Sequence, residues 1–237
     1  MDPALKQGII KLIPKNTFPK SLAEWRPITM MGILYKIPAK IIAIRITLEL
    51  RKCMHPAQIS FIVGRSILDN ILTVQIGIEH ALVTNQDMVM FQIDFVKAFD
   101  TVQWDFVSFV LIKLGFGPRI SGFIYLIGQN AYSRVIINGR LFEKVQIARS
   151  VRQGCPISPL FFAVATHLLY VYLDSLARNG HLQTLHLGSK QVLGKGFVDD
   201  TLLFLKAHNV NIMRCMKVLD VYAIVVGLQL NLQKNPL

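Results

Sequence analysis

The sequence is short of acidic residues. Its 237 residues include 14 Asp and Glu against 26 Lys and Arg, which gives a net charge of +12. Such an excess of basic charge favours a polyanionic partner, nucleic acid above all. The basic residues are spread along the chain rather than grouped in one run, so no disordered basic tail is predicted.

Cysteine is also scarce. Cys53, Cys155 and Cys215 form no C-x-x-C pair, which argues against a zinc site or a disulfide framework and fits a reducing compartment. The N-terminus is polar and shows no signal peptide, so an intracellular location, nuclear or cytoplasmic, is expected. The longest uncharged apolar run, residues 157–173, contains a proline and a histidine. It therefore predicts a buried helix, and no membrane partner is expected.

Two of the few acidic residues stand side by side. Asp199 and Asp200 follow Phe197-Val198 and precede the apolar residues 201–205. An apolar strand, a tight turn and a second apolar strand predict a hairpin whose tip presents both carboxylates. This tip suits Mg²⁺, which takes oxygen ligands and usually combines one or two carboxylates with substrate phosphates. The alternative is a solvated turn, because Asp is an ordinary turn residue.

A further aspartate lies about a hundred residues earlier. Apolar and polar residues alternate from Phe91 to Asp94, so Asp94 is predicted to end a strand. If this strand and the hairpin share one sheet, Asp94 and the Asp199-Asp200 pair would hold two metal ions roughly 3.5–4 Å apart, as in polymerases and nucleases. One ion would activate a 3′-hydroxyl, and the other would stabilise the leaving pyrophosphate.

Residues 152–159, Arg-Gln-Gly-Cys-Pro-Ile-Ser-Pro, lie between the two acidic stretches. Asp94 with residues 97–100, then residues 152–159, then residues 197–200 resemble, in this order, the three core motifs of reverse transcriptases. The closest resemblance is to the non-LTR (LINE-type) retrotransposon enzymes. Supporting stretches resemble the same family: residues 12–15, 25–28, 34–37, 64–70 and 227–234. The resemblance covers nearly the whole chain and implies an RNA-directed DNA polymerase, a nucleotidyltransferase.

The resemblance implies an α+β fold, the palm and fingers of a polymerase right hand, with a mixed sheet packed by helices. Fingers are expected at about residues 1–88 and 116–150, and palm at about 89–115 and 151–237. The chain ends just after the fourth palm motif, so we expect a fragment of a transposon reading frame whose thumb is missing and which extends primers poorly. Residues 1–33, which contain four prolines, are predicted to be irregular.

The resemblance also assigns the metal site. Asp94 and Asp199 are the expected ligands of two Mg²⁺ or Mn²⁺ ions, and the backbone carbonyl of Phe95 is a third contact. Asp200 is expected to be catalytically important and to coordinate less directly. Lys234 is expected to protonate pyrophosphate or to position the active site. No small-molecule cofactor beyond the metal is expected.

Substrate contacts follow in the same way. Phe99 is expected under the sugar of the incoming dNTP, where its ring leaves no room for a 2′-hydroxyl. The alternative is a core aromatic. Gln153 would contact the nucleotide or the template, and Gly154 permits a close backbone approach to a ligand. Arg152 would hold either this loop or a backbone phosphate.

Further basic residues are predicted to bind phosphates. Lys15 and Arg26 lie where the fingers of this family touch the triphosphate, and guanidinium groups bind phosphate oxygens bidentately. Lys40, Arg45 and Arg65 are candidates for contacts to template phosphates, which carry no sequence specificity. The implied partners are an RNA template, a DNA primer and dNTP.

The match departs from the family at Lys195-Gly196, where apolar residues are usual. Glycine weakens a strand interior, so this strand is expected to be looser. Two alternatives to an active enzyme stay open. One is a degenerate, non-catalytic relic with weak nucleic-acid binding, and the other is a protein similar to the group II intron maturases.

Overall fold

The computed structural model describes residues 3–95, 98–128, 131–147, 152–198 and 200–230. The strands, in chain order, are β1 (Gly8–Pro14), β2 (Trp25–Met31), β3 (Met88–Ile93), β4 (Tyr132–Ile137), β5 (Arg140–Gln146), β6 (Leu185–Leu187), β7 (Lys190–Val192), β8 (Gly194–Phe197) and β9 (Asp200–Lys206). The helices are α1 (Ile33–Cys53), α2 (Ile67–Val83), α3 (Ala98–Thr101), α4 (Trp104–Lys113), α5 (Pro118–Gly128), α6 (Ser158–Arg178) and α7 (Asn209–Val226).

The chain divides into two compact units. Unit 1 comprises Met1–Ile46 and Phe99–Phe161, and unit 2 comprises Thr47–Ala98 and Phe162–Leu237. Each unit is defined by contacts among its own residues, and this division does not assign either unit to the fingers or the palm. The boundaries of fingers and palm expected from the sequence therefore stay a prediction.

Unit 1 contains a four-stranded sheet in the order β2-β1-β4-β5. The β1–β2 and β4–β5 pairs are antiparallel and the β1–β4 pair is parallel. This is a mixed sheet, as predicted. Helices α4 and α5 meet where Gly128 faces Trp104, and a Cβ added at Gly128 would lie 1.2 Å from the indole ring. The missing side chain therefore lets the two helices approach closely.

The prediction that residues 1–33 are irregular is wrong, because β1 and β2 form an antiparallel hairpin there. Both prolines of this hairpin fit its geometry. Pro14 ends β1, and Pro27 lies on β2, an edge strand of the sheet. Proline is tolerated on an edge strand, since an outward N–H makes no ladder hydrogen bond. Asn138-Gly139 forms the tight turn between β4 and β5, with positive φ at both residues, as Asn-Gly pairs do in two-residue hairpin loops.

Unit 2 is built on an antiparallel sheet in the order β3-β9-β8. Alternate residues of the central strand β9, Thr201, Leu203 and Leu205, are at most 1% exposed. The hydroxyl groups of Tyr170 on α6 and Thr201 are 2.8 Å apart and share a hydrogen bond. These contacts place α6 against this face of the sheet.

Helix α6 is long and apolar enough to cross a membrane by length and composition, but 67% of its apolar window is buried inside the structure. Core helices of water-soluble proteins pass the same test of length and composition. The burial agrees with the buried helix that the sequence predicts for this run.

His167 is buried on α6. Its Nδ1 accepts a hydrogen bond of 3.0 Å from the backbone N–H of His55. Burial, reinforced by the nearby His55 and Arg65, lowers the pKa of His167 to about 4. The folded chain therefore favours the neutral form of the His167 imidazole.

This burial predicts that the chain loses stability as the pH falls from 6.5 to 4. An unfolded histidine binds its proton near pH 6.5, so in this window the unfolded chain holds more protons and the free energy of unfolding decreases, by roughly 3 kcal/mol at the lower end. His167→Asn keeps an acceptor near Nδ1 and does not titrate, so the decrease should become smaller.

Urea unfolding at several pH values measures the effect. The exposed His181→Asn change is the control and should leave the pH dependence as it is in the wild type. If the free energy of unfolding depends on pH equally in the wild type and in His167→Asn, this account is contradicted.

Candidate active site

The register of β3 against β9 brings two of the predicted carboxylates together. Ile93 pairs with Thr201 at the end of this ladder. Asp94 follows Ile93 and Asp200 precedes Thr201, so the two aspartates occupy neighbouring positions at the same end of the sheet. Neighbours across antiparallel strands have Cα atoms about 4.5–5.5 Å apart. Both carboxylates can therefore serve one site.

The two aspartates differ in their surroundings. Asp94 is 8% exposed, whereas Asp200 is exposed as the first residue of β9. Phe95 forms an isolated bridge with Leu230, and its ring lies 6.4 Å from that of Tyr222. These contacts hold the backbone just after Asp94, where the carbonyl of Phe95 is a predicted metal contact.

Asp199 and Lys234 lie outside the described residues. Within the described residues no three His, Cys, Asp or Glu side chains come together as a metal site. The predicted set of three carboxylates therefore needs Asp199, which precedes Asp200. The donors are carboxylate and carbonyl oxygens, the ligands that Mg²⁺ and Mn²⁺ prefer. The residues present thus fit such ions.

The hairpin tip between β8 and β9 is strained. Phe197 pairs with Asp200, which leaves a turn that begins at Val198. Val198 has a φ of 55°, and a positive φ is an outlier for a β-branched residue. Such conformations cost about 1–3 kcal/mol and persist where the surroundings hold them. Here the backbone N–H of Val198 donates a hydrogen bond to Ser60 Oγ.

Gly196 does not loosen strand β8. Its N–H donates to the carbonyl of Ala57 at 2.9 Å, and its carbonyl accepts from the N–H of Ile59 at 3.3 Å. The side-chain amide of Asn70 donates to the same carbonyl. Glycine stands here because Tyr170 occupies the space of a side chain, and an added Cβ would lie 1.8 Å from Tyr170 Oη. The expectation of a looser strand is therefore wrong at this residue.

The face of the sheet away from α6 is partly open. It forms a groove of about 500 Å³ between α2 and strands β3, β8 and β9. The groove is lined by Ile67, Asn70, Ile71, Val74, Gln75, Ile78, Gln92, Lys195, Phe197, Asp200 and Leu202. Lys195 is half-buried in it, and this burial lowers the pKa of its ammonium group. Asp200 thus borders a largely apolar groove that carries one lysine.

In unit 1, residues 152–157 form the loop before α6. The N–H of Thr29 on β2 donates to the carbonyl of Gln153 at 2.8 Å. Gly154 has a φ of 108°, and an added Cβ would lie 2.5 Å from the carbonyl oxygen of Thr29. Both observations explain why residue 154 is glycine, because its backbone lies too close to β2 for a side chain. Contacts of Gln153 and Gly154 with a nucleotide stay a prediction.

Arg152 is buried, with 4% exposure. Its Nη1 donates to the carbonyl of Lys6 at 2.8 Å, and its guanidinium lies 5.6 Å from the centre of the Tyr35 ring. Ser158 Oγ donates to the carbonyl of Arg152 at 2.9 Å. Of the two roles left open, these contacts favour holding the loop over binding a phosphate.

The two predicted triphosphate ligands lie near each other on the β1–β2 hairpin. Arg26 pairs with Ile13, and Lys15 follows two residues later at the loop end of β1. Both side chains are exposed, and Lys15 Nζ donates to the carbonyl of Ala23 at 2.8 Å. Phe99 lies on α3 with intermediate exposure.

Arg65 differs from its predicted role as a template contact. Its guanidinium donates to the carbonyls of Met54 at 2.8 Å and His55 at 2.6 Å, and also to that of Gln58. It thus binds the loop that supplies Ser60. The sequence gives no prediction for Ser60, because its only local signal is its place between Pro56 and Gly64 in a loop.

Comparisons with known proteins agree with this geometry. Residues 13–236 match the family model described as reverse transcriptase (RNA-dependent DNA polymerase). The chain belongs to the reverse transcriptase family. Because the match covers nearly the whole chain, both the Asp94–Asp200 pair and the loop of residues 152–157 lie within this reverse transcriptase domain.

Its relatives are non-LTR retrotransposon proteins. The domain is 27% identical over 97% of its length to the transposon TX1 uncharacterized 149 kDa protein of Xenopus laevis, of which it covers 17%. It is 29% identical over 94% of its length to the Pol polyprotein of a type-1 retrotransposable element R2 of Popillia japonica, of which it covers 31%. The chain thus spans less than a third of each relative.

The fold also has solved counterparts. A telomerase from Candida tropicalis, in complex with a fragment of telomeric RNA, aligns with a TM-score of 0.70 at 14% identity. The alignment covers 98% of this reverse transcriptase domain and 41% of the telomerase chain. At this identity the likeness concerns the fold, and it supports the predicted palm-and-fingers class.

Gly196→Ala is predicted to destabilise the domain, because its methyl group would collide with Tyr170. Overpacking of this kind costs about 1–3 kcal/mol. In a Tyr170→Phe background the clashing oxygen is absent, so the cost should be smaller. Urea unfolding of the wild type, Gly196→Ala, Tyr170→Phe and the double variant measures the coupling energy between the two positions.

Gly117→Ala is the matched control. No heavy atom lies within 4 Å of a Cβ added at Gly117, so its stability should stay near that of the wild type. A Gly196→Ala variant as stable as Gly117→Ala would show that Tyr170 does not fill this space.

Proposed function

We propose that the chain is the catalytic part of a retrotransposon reverse transcriptase, which copies an RNA template by adding dNTP to the 3′-hydroxyl of a DNA primer. The observation that carries the proposal is the β3–β9 register that sets Asp94 beside Asp200. It is supported by the family match over residues 13–236. The net charge of +12 suits a template and primer, because phosphate contacts release counterions.

Each predicted residue has a role in this proposal. Asp94 and Asp199 hold two Mg²⁺ or Mn²⁺ ions with the carbonyl of Phe95, and Asp200 supports them. When bound, such ions supply positive charge for the attacking and leaving oxygens. The intracellular location expected from the sequence belongs to the same proposal.

Unit 1 carries the residues proposed to bind the nucleotide. The exposed Lys15 and Arg26 offer cationic groups to a triphosphate. Gln153 and Gly154 are proposed to face the nucleotide or the template, and Arg152 fixes their loop. Phe99 is proposed to exclude a 2′-hydroxyl. Lys234 is proposed to act on the leaving pyrophosphate.

The metal site predicts that the chain binds Mn²⁺ in the presence of dNTP, and that Asp199→Asn or Asp94→Asn abolishes this binding. Removing one carboxylate from so small a ligand set leaves the ions without an anionic oxygen that they need. Electron paramagnetic resonance of free Mn²⁺ measures the bound fraction. Asp220→Asn, at an exposed residue of α7, is the control for the loss of one charge. Equal Mn²⁺ binding by Asp199→Asn and wild type would refute the two-metal site.

The sugar contact predicts that Phe99→Val weakens the preference for dNTP over rNTP. A smaller side chain leaves room for the 2′-hydroxyl, and the change should amount to roughly 10-fold, as for other single steric contacts in binding pockets. Competition of GTP and dGTP against a fluorescent dNTP, with Mn²⁺ present, measures the ratio. Phe109→Val, at a half-exposed ring on α4, is the control. If the ratio stays unchanged in Phe99→Val, the ring is only a packing residue.

The alternative is a non-catalytic relic of the same family. Such a relic would have the same fold as the enzyme, so only a test of dNTP incorporation distinguishes the two. Incorporation of dNTP on a homopolymer template by the wild type, and its loss in Asp199→Asn, would support the enzyme. Mn²⁺ binding without any incorporation would favour the relic.

A further inference from the structure

We propose that Ser60 is a positioning residue, which holds the strained backbone of Val198 just before the Asp199-Asp200 pair in the sequence. The inference rests on the proposed function, because it assigns a support to the same metal site. The direct contact is the hydrogen bond from the backbone N–H of Val198 to Ser60 Oγ. Ser60 is 4% exposed, so this bond is sheltered from water.

The turn needs such a support. Val198 adopts a φ of 55° although it is β-branched, and the chain keeps this conformation only while neighbouring groups hold it. Asp200 follows two residues later and pairs with Phe197 across the turn. A change at Val198 therefore shifts the backbone that leads into Asp200.

The loop that carries Ser60 is itself well anchored. Gln58 Nε2 donates to Thr166 Oγ1 on α6 at 2.7 Å, and Gln58 Oε1 accepts from the N–H of Ser60 at 3.3 Å. A chain of hydrogen bonds thus runs from a core helix through Gln58 and Ser60 to Val198. Arg65 fastens the same loop by donating to three of its carbonyls.

The loop also pairs with the strand that leads into the turn. Ala57 and Ile59 bond the two sides of the Gly196 peptide, in a parallel bridge centred on Gln58. Phe61, next to Ser60, has a φ of 61°. Two non-glycine residues with positive φ thus lie on either side of one hydrogen bond, and strain of this kind clusters at functional sites.

The test compares Ser60→Ala, Ser60→Thr and the wild-type chain by two measurements. The first is hydrogen exchange of the Val198 amide, observed by NMR with ¹⁵N-valine labelling and assigned through Val198→Gly. The second is Mn²⁺ affinity in the presence of dNTP. Ser60→Ala should speed the exchange and weaken Mn²⁺ binding, each roughly 10-fold, because the turn then populates its competent form less. Ser60→Thr keeps the hydroxyl and should restore both.

Ser66→Ala is the matched control. Ser66 lies at the end of the same loop and caps α2 by accepting from the N–H of Leu68 at 3.2 Å. Its loss should lower helix stability while Val198 exchange and Mn²⁺ affinity stay unchanged. Unchanged exchange of Val198 in Ser60→Ala, or a Mn²⁺ affinity equal to that of the wild type, would overturn the proposal.

Two further outcomes are also decisive. If the wild type binds no Mn²⁺, the proposed function is wrong, and Val198 exchange alone then decides the role of Ser60. If Ser60→Ala does not fold, Val198→Gly is compared with Val198→Gly/Ser60→Ala, since glycine takes a positive φ without strain. The double variant should fold and bind Mn²⁺ nearly as well as Val198→Gly. Its failure to fold would make Ser60 a general structural residue and overturn the proposal.

Discussion

The antiparallel pairing of β3 with β9 is the constraint on which unit 2 depends. Because side chains alternate along a strand, this register puts Thr201, Leu203 and Leu205 on the buried face and sets Asp94 beside Asp200. A slip of one residue would turn the buried set to the open face and separate the aspartates. The apolar core and the acidic site are thus fixed by the same hydrogen-bond ladder, and neither can shift alone.

Two arginines, the buried Arg152 and the half-buried Arg65, show how a chain with few acidic residues uses its basic ones. Arg65 and Arg152 bind main-chain carbonyls instead of carboxylates, and burial lowers the pKa of both guanidinium groups. Arg65 fastens the loop that supplies Ser60, and Arg152 fastens the loop of residues 152–157, each within its own unit. The net charge of +12 therefore includes two cations whose hydrogen bonds serve the fold.

Residue types at turns and helix ends explain much of the local architecture. Ser66 caps α2, Asn138-Gly139 forms a tight turn and Gly227 ends α7 with a φ of 81°, as their residue types indicate. The β1–β2 hairpin was missed, because prolines read as loop signals and only the sheet shows that Pro27 lies on an edge strand. Gly196 likewise suggested a weak strand, whereas its missing side chain makes room for Tyr170.

The sequence by itself determined the family, the acidic residues of the proposed site and the strand that ends just before Asp94, because these depend on residue type and local alternation. Tertiary structure decided what lies across space from them. Ser60 meets Val198 although 138 residues separate them, and Arg65 turns inward to carbonyls instead of outward to phosphate. A buried hydrogen bond requires that both partners be brought together, and no local pattern in either segment specifies the other.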